Sequence, residues 1–127
     1  MGLGTDVAAG YSPSILDCLR QTITASRALL FQSRNAAGES DFVPVNYREA
    51  FYLATQGGAN VLSMGDVLGN FQKNKRLDCL IVDPGVEGGP VDVFGTETVL
   101  ELFEKFLFLG DDRNIIKIFV DGKECPV

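Results

Sequence analysis

Hydrophobic and polar positions along this chain follow strand-like and helix-like periods, and together they predict an α/β protein. A short apolar run over residues 1–5 predicts a buried strand, and Asp6 stands at its end, before a glycine-containing loop. Ser12 is the predicted N-cap and Pro13 the predicted first residue of a long helix over residues 13–33. The apolar positions of this helix recur at helical spacing: Ile15, Leu16, Leu19, Ile23, Leu29 and Leu30.

Weaker helical patterns follow. Small and polar residues over 36–41 predict a loop, and residues 47–56 predict a second helix whose apolar face carries Ala50, Phe51 and Ala54. The pair Gly57-Gly58 is predicted to interrupt this helix, and residues 59–62 to add one or two turns. A basic turn that we expect to be solvated comes next, with Lys73, Lys75 and Arg76.

The second half of the chain contains two strand patterns and a hairpin signal. Residues 77–83 predict a strand that ends at Pro84-Gly85, and residues 115–120 predict another. The dipeptide Asp121-Gly122 is a strong signal for a two-residue hairpin turn, which leads into residues 123–125.

A third helix is predicted between these two strands. Thr96 or Thr98 can open it, and Gly110 suits the position just past its end. Its apolar surface is wide, which predicts burial against something larger than a two-stranded sheet. The residues that form this surface are Val99, Leu100, Leu102, Phe103, Phe106, Leu107 and Leu109.

Composition narrows the class of protein. A length of 127 residues and a hydrophobic fraction of 46% fit a globular protein with its own core. The formal net charge is -6, so the chain lacks the excess of positive charge that favours binding to nucleic acid or to an anionic membrane. No apolar run reaches the ~18 residues that span a bilayer, and no signal-peptide pattern is visible at the N-terminus. We therefore expect neither nucleic acid nor a membrane as a partner.

The cysteine and histidine counts limit the chemistry. Cys18, Cys79 and Cys125 are odd in number and far apart, which favours buried thiols in a reducing, intracellular compartment over a disulfide framework. Their spacing does not match a zinc site. The chain contains no histidine, which excludes most catalytic zinc sites and imidazole bases for this chain acting alone.

Asp6 is the candidate site residue. An acid just past the carboxyl end of a strand, before a helix, stands where α/β barrels place catalytic and metal-binding groups. A short loop with glycine and aspartate is more often a simple connection between a strand and a helix, without a functional role. Position alone leaves both interpretations open.

Several runs in this chain occur together, in order, in a known family. They are Gly4-Thr5-Asp6-Val7-Ala8, Gly10-Tyr11-Ser12, Ala54-Thr55-Gln56-Gly57-Gly58-Ala59-Asn60, Leu109-Gly110-Asp111-Asp112-Arg113-Asn114 and Val120-Asp121-Gly122-Lys123. With them the chain resembles the C-terminal portion of guanine deaminases, members of the metal-dependent amidohydrolase superfamily. The run over residues 109–114 is the most specific. Ala9 and Asn74 stand where the family has glycine, and asparagine tolerates the left-handed region well.

The resemblance implies a fold. Residues 1–64 would be the C-terminal end of a (β/α)8 TIM barrel, with the last strand over residues 1–5, the long helix and the following helices. Residues 65–127 would be a C-terminal segment with a helix and strands of the small β-sandwich (composite) domain. Because one βα unit cannot close a barrel, we expect the isolated chain to be marginally stable, sticky or dependent on a partner.

The resemblance also implies a function. The family hydrolyses guanine to xanthine and ammonia with a water activated by Zn2+, and Asp6 matches an aspartate that serves as catalytic proton acceptor, metal ligand and substrate contact. The complete enzyme would be a cytoplasmic homodimer. The family's His-x-His pair, its two later histidines and its catalytic glutamate lie upstream, so we do not expect this chain to be active alone.

Alternatives stay open at this point. The chain could be a non-catalytic short isoform that acts as an interaction or dimerisation module. A different amidohydrolase acting on a cytosine or a triazine is another reading, against which the run over residues 109–114 speaks. The sequence does not establish whether Met1 is a genuine start.

Overall fold

The structure is a computed structural model, and it describes the chain apart from residues 8, 38–40 and 127 and the side chains of residues 35–37. Helices dominate the first half, and a small sheet and one helix make up the second. In chain order the elements are α1 (Ile15–Ala37), α2 (Tyr47–Ala54), α3 (Gln56–Val61), β1 (Cys79–Val82), α4 (Val99–Leu109), a 3-10 turn (Asp112–Asn114), β2 (Ile115–Val120) and β3 (Lys123–Cys125).

The core lies where α1, α2 and α4 meet. Its buried side chains come from all three helices: Leu19, Ile23, Ala50, Phe106 and Leu107. Aromatic contacts extend it, because the ring of Phe103 meets Phe51 edge-on at a centroid distance of 5.0 Å. The helical spacing of these apolar positions therefore identified the side of each helix that faces the core.

The segment over residues 1–5 is not the strand that the sequence predicted. It has no strand partner within the described residues, and it is attached to α2 by the N–H of Leu3, which donates to the carbonyl oxygen of Leu53 at 3.1 Å. Strand formation needs a neighbouring backbone to pair with, and the apolar pattern does not supply one.

Helix α1 begins two residues later than predicted and ends four residues later, at Ile15 and Ala37. Ser14, not Ser12, caps it: the Ser14 hydroxyl accepts from the N–H of Asp17 at 3.3 Å, and its carbonyl accepts from Cys18. Ser12 binds the Asp17 side chain instead. The predicted loop over residues 36–41 is helical at residues 36–37, and its residues 38–40 lie outside the described part.

The break after α2 falls at Thr55, one position before the predicted end of that helix, and not at the glycine pair. Gly57 and Gly58 lie inside α3, where residues 1–2 approach closely: a Cβ on Gly57 would lie 2.7 Å from the carbonyl oxygen of Met1. Gly57 is therefore required for the close approach of Met1 rather than for a break.

The second half follows the sequence expectations more closely. Its three strands form an antiparallel sheet in the order β1-β2-β3, and β1 is shorter than the predicted 77–83. Asp121 and Gly122 both have positive φ, 50° and 74°, which confirms the hairpin turn. Asn74 also has a positive φ of 73°, as its substitution for glycine suggested.

Helix α4 is opened by Thr98, whose hydroxyl accepts from the N–H of Glu101 while the Glu101 carboxylate accepts from the N–H of Thr98. Gly110 follows its end as predicted. Val99, Leu100 and Leu109 remain exposed at the ends of the helix.

One member of the predicted basic turn is not solvated. Lys75 is half-buried, and its Nζ donates to Gln56 Oε1 at 3.3 Å and to the carbonyl oxygen of Gly65. Lys73 and Arg76 are exposed. Within the described residues, none of the helices combines the length and the apolar character that crossing a membrane requires.

Candidate functional site

Asp6 opens the turn that leads from the N-terminal segment to α1, and we name residues 6–12 the Asp6 loop. Its backbone is left-handed, with a φ of 50°, a region that aspartate tolerates better than most residues. The carbonyl oxygen of Asp6 accepts from the N–H of Ala9 at 2.7 Å and from that of Gly10. Asp6 is exposed to solvent and is not part of the hydrophobic core.

Two neighbours shape this turn. The hydroxyl of Thr5 accepts from the N–H of Val7 at 3.5 Å, which supports the turn from one side. Gly10 lies so near Thr5 that a Cβ on it would stand 1.8 Å from the Thr5 carbonyl oxygen. A side chain at position 10 would therefore force the Asp6 loop open.

The far end of the Asp6 loop is fastened to α1. The Ser12 hydroxyl donates to Asp17 Oδ2 at 2.6 Å, and the Gln21 side-chain amide donates to the Tyr11 hydroxyl. The sequence interpretation missed these contacts. The available signal was the Ser12–Asp17 spacing across the start of a helix, which is weak because serine and aspartate are common there.

The donors in this part of the chain do not form a zinc site on their own. A catalytic zinc needs about three protein ligands, and the described residues contain no group of three Cys, Asp or Glu side chains placed to hold a metal. The three cysteines are free and half-buried. Among the described residues, Asp6 therefore offers a single ligand and does not make a zinc site by itself.

A groove of about 330 Å³ lies beside the Asp6 loop and is lined in part by Thr5, Gly10 and Cys18. Asp6 itself is not among its lining residues. A concave surface and a candidate carboxylate thus lie near each other, but the groove does not enclose the carboxylate.

The charged residues of the run over 109–114 form a surface ion pair. Arg113 Nη2 lies 2.6 Å from Asp111 Oδ2, and this hydrogen bond lowers the pKa of the Asp111 carboxyl and raises the pKa of Arg113. Asn114 in the same run is fully buried. Within the described residues, the contacts of this run stabilise the fold.

An exposed carboxylate in a loop that leads into a long helix has the position at which α/β barrels carry catalytic and metal-binding groups. The model of the amidohydrolase family matches residues 1–125. The chain belongs to the amidohydrolase family.

Among individual proteins, the chain is similar to guanine deaminases. It is 40% identical to that of Dictyostelium discoideum over 98% of this chain and 26% of that protein, and 40% identical to that of Mus musculus over 98% of this chain and 27% of that protein. The crystal structure of guanine deaminase from C. acetobutylicum with bound guanine in the active site superposes with a TM-score of 0.79, at 28% identity, over 97% of this chain and 26% of that one.

These comparisons confirm the resemblance to guanine deaminases that the sequence runs indicated. The chain spans about a quarter of the length of the curated relatives it matches. The C-terminal portion predicted from the runs is therefore what the chain corresponds to in these proteins.

Proposed function

We propose that this chain is the C-terminal part of a guanine deaminase, an enzyme that hydrolyses guanine to xanthine and ammonia with Zn2+ as cofactor. The observation that carries the proposal is identity of 40% to guanine deaminases along 98% of the chain, with no long stretch left unmatched. A relative that shared only a fold would not keep such identity along the whole chain.

In this proposal Asp6 is the chain's own contribution to the site, as metal ligand, proton acceptor and contact for guanine. Support comes from its place: it follows the N-terminal segment, it is exposed, and its backbone carbonyl binds Ala9 and Gly10, while its carboxylate has no hydrogen bond to another described residue. Carboxylate oxygens both bind zinc and accept protons. The remaining ligands must come from residues outside this chain, since it contains no histidine.

The division of the chain follows from the same proposal. Residues 1–64 would complete a (β/α)8 barrel, in which the extended segment over residues 1–5 pairs with neighbouring strands and α1 is the helix that follows. Residues 65–127 would supply β1, β2, β3 and α4 to a small β-sandwich domain. A cytoplasmic homodimer is the assembly that the family resemblance favours.

A hybrid enzyme tests the function. In it, the matched quarter of the Mus musculus guanine deaminase is replaced by these 127 residues. We expect the hybrid to convert guanine to xanthine, and the hybrid with Asp6→Asn to lose at least ~10²-fold in kcat, because an amide is a weaker metal ligand and does not accept a proton. Xanthine formation and bound zinc are both measured.

Asp66→Asn is the matched control, since Asp66 is also exposed and lies in a turn far along the chain from the Asp6 loop. We expect it to leave xanthine formation unchanged. A folded hybrid that binds zinc but does not act on guanine would contradict the proposed substrate. Full activity in the Asp6→Asn hybrid would contradict the role of Asp6.

A further inference from the structure

The Asp6 loop is connected to the end of α4 by a line of side chains to which the proposed chemistry assigns no role. The line starts at the Ser12 hydroxyl, which donates to Asp17 Oδ2 at 2.6 Å. The other oxygen of Asp17 accepts from Arg20 Nη1 at 3.2 Å. Both charged side chains are partly shielded, with 26% of Arg20 and 35% of Asp17 exposed.

Arg20 carries the line across to the last turn of α4. Its Nε donates to the carbonyl oxygen of Leu107 at 2.8 Å, and its Nη2 donates to that of Gly110. These are carbonyls at a helix end, which attract a cation. The planar guanidinium of Arg20 donates to Leu107, Asp17 and Gly110 at the same time. It therefore holds Asp17 in one orientation relative to α4.

The Ser12–Asp17 bond is not needed to cap α1. Ser14 already accepts from the N–H of Asp17 at 3.3 Å and serves as the N-cap. The Ser12 hydroxyl also accepts from the N–H of Ser14 at 3.2 Å, so it joins the last residue of the loop to the start of α1. The Asp6 carbonyl oxygen binds the N–H groups of Ala9 and Gly10 within the loop, and the bonds of Ser12 fasten the opposite end of the same loop.

We propose that Ser12, Asp17 and Arg20 are positioning residues that hold the Asp6 loop against α1 and the end of α4, and so fix the place of the Asp6 carboxylate. The proposal rests on the proposed function of Asp6. The proposal also gives α4 an indirect role in positioning Asp6, because the carbonyl oxygens of Leu107 and Gly110 hold the side chain of Arg20.

The hybrid enzyme tests this with Ser12→Ala, Asp17→Asn and the double variant. We expect each single variant to lower kcat per bound zinc by about tenfold, since a small misplacement of a reacting group is costly, with KM for guanine unchanged. The double variant should lose about as much as either single variant, because both break the same line. Ser12→Thr, which keeps the hydroxyl, should restore kcat.

Arg27→Lys is the control on the same helix, since Arg27 is exposed. We expect no change in kcat from it. Amide hydrogen exchange gives a second readout that does not need activity: the N–H groups of Ala9 and Gly10 should exchange faster in Ser12→Ala and Asp17→Asn than in Arg27→Lys.

Several results would overturn the inference. Variants that only reduce the folded fraction, with kcat per bound zinc and the exchange of Ala9 and Gly10 unchanged, would show a purely structural role. Losses that multiply in the double variant would show that Ser12 and Asp17 act separately. A folded, zinc-binding hybrid that does not act on guanine would overturn the proposed function, whereas unchanged exchange of Ala9 and Gly10 in the variants would overturn this inference by itself.

Discussion

Asn114 is buried completely, and every polar atom of its side chain has a partner. Its Nδ2 donates to the carbonyl oxygens of Asp83, at 3.0 Å, and Pro84, at 3.3 Å, while its Oδ1 accepts from the N–H of Asp111 at 3.1 Å. One residue thereby joins the end of β1 to the 3-10 turn before β2. A buried amide with all its bonds made is costly to remove, because its partners stay behind without water.

We expect Asn114→Ala to destabilise the chain by about 3 kcal/mol, because two carbonyls and one N–H lose their partner inside the protein. Urea denaturation followed by far-UV circular dichroism measures it. Asn70→Ala is the control, since Asn70 is exposed and its side chain accepts one hydrogen bond, from the N–H of Gln72, within the part of the chain that the structure describes. Equal shifts in the two variants would contradict the structural role assigned to Asn114.

The residue scale also shows what sequence can and cannot predict. Asp6 could be named as a candidate because an acid between an apolar run and a helix is a recognisable pattern, and its role stays a prediction. The contacts of Ser12 and Asp17 were not, because Ser12 and Ser14 both satisfy the pattern of an N-cap and only three-dimensional packing decides between them. The burial of Asn114 depends on contacts with residues about 30 positions away.

At the scale of elements, helix existence was predictable and helix boundaries were less so. Periodicity identified α1, α2 and α4, because the positions that face the core are apolar. The break at Thr55 was misplaced because glycine pairs usually end a helix, whereas Gly57 lies inside α3 at a point that Met1 approaches closely. The hairpin was predictable because its turn requires positive φ at both central residues.

The entry to α4 contains a shielded ion pair that links it to the preceding connector. Glu97 Oε1 lies 2.5 Å from Lys105 Nζ, and only 8% of the Glu97 side chain is exposed. The hydrogen bond from Lys105, with one from the N–H of Phe94, lowers the pKa of Glu97 from 4.5 to about 2. Lys105 also lies over the ring of Phe94, at 4.6 Å from its centroid.

A lowered carboxyl pKa stabilises the folded state above the unfolded value, and the effect is lost as pH falls through the folded value. We therefore expect Glu97→Gln to be less stable than the parent chain at pH 7, with the difference shrinking from pH 4.5 downward and vanishing near pH 2. Thermal unfolding at a series of pH values measures this. Glu87→Gln, at an exposed position, is the control, and a pH-independent difference for Glu97→Gln would contradict the ion pair.

At the scale of the whole molecule, much apolar surface faces solvent. Large side chains from every part of the chain are more than half exposed, including Leu29, Phe31, Val43, Leu62, Phe71, Phe94 and Val99. Groups of this size are normally covered in a stable protein. The pattern agrees with a chain whose relatives are about four times as long.

The order of helices and strands after residue 12 was predictable from the sequence, because it follows from local periodicity, whereas the (β/α)8 barrel was implied by the resemblance alone and stays a prediction. Whether residues 1–5 form a strand was not predictable from the sequence. Their apolar pattern suits a strand, but pairing depends on neighbours that local sequence does not specify, and the described residues place α2 beside them instead. For the same reason a single carboxylate indicates a site without specifying the other groups that complete it.

Guanine turnover by this chain alone, measured beside the hybrid enzyme under the same conditions with zinc supplied, is the most direct test of the central claim. The claim is that these residues contribute one carboxylate, Asp6, to a site whose other groups lie elsewhere. We expect xanthine and ammonia from the hybrid and neither product from the chain alone. Turnover by the chain alone, or an inactive hybrid that folds and binds zinc, would contradict the account.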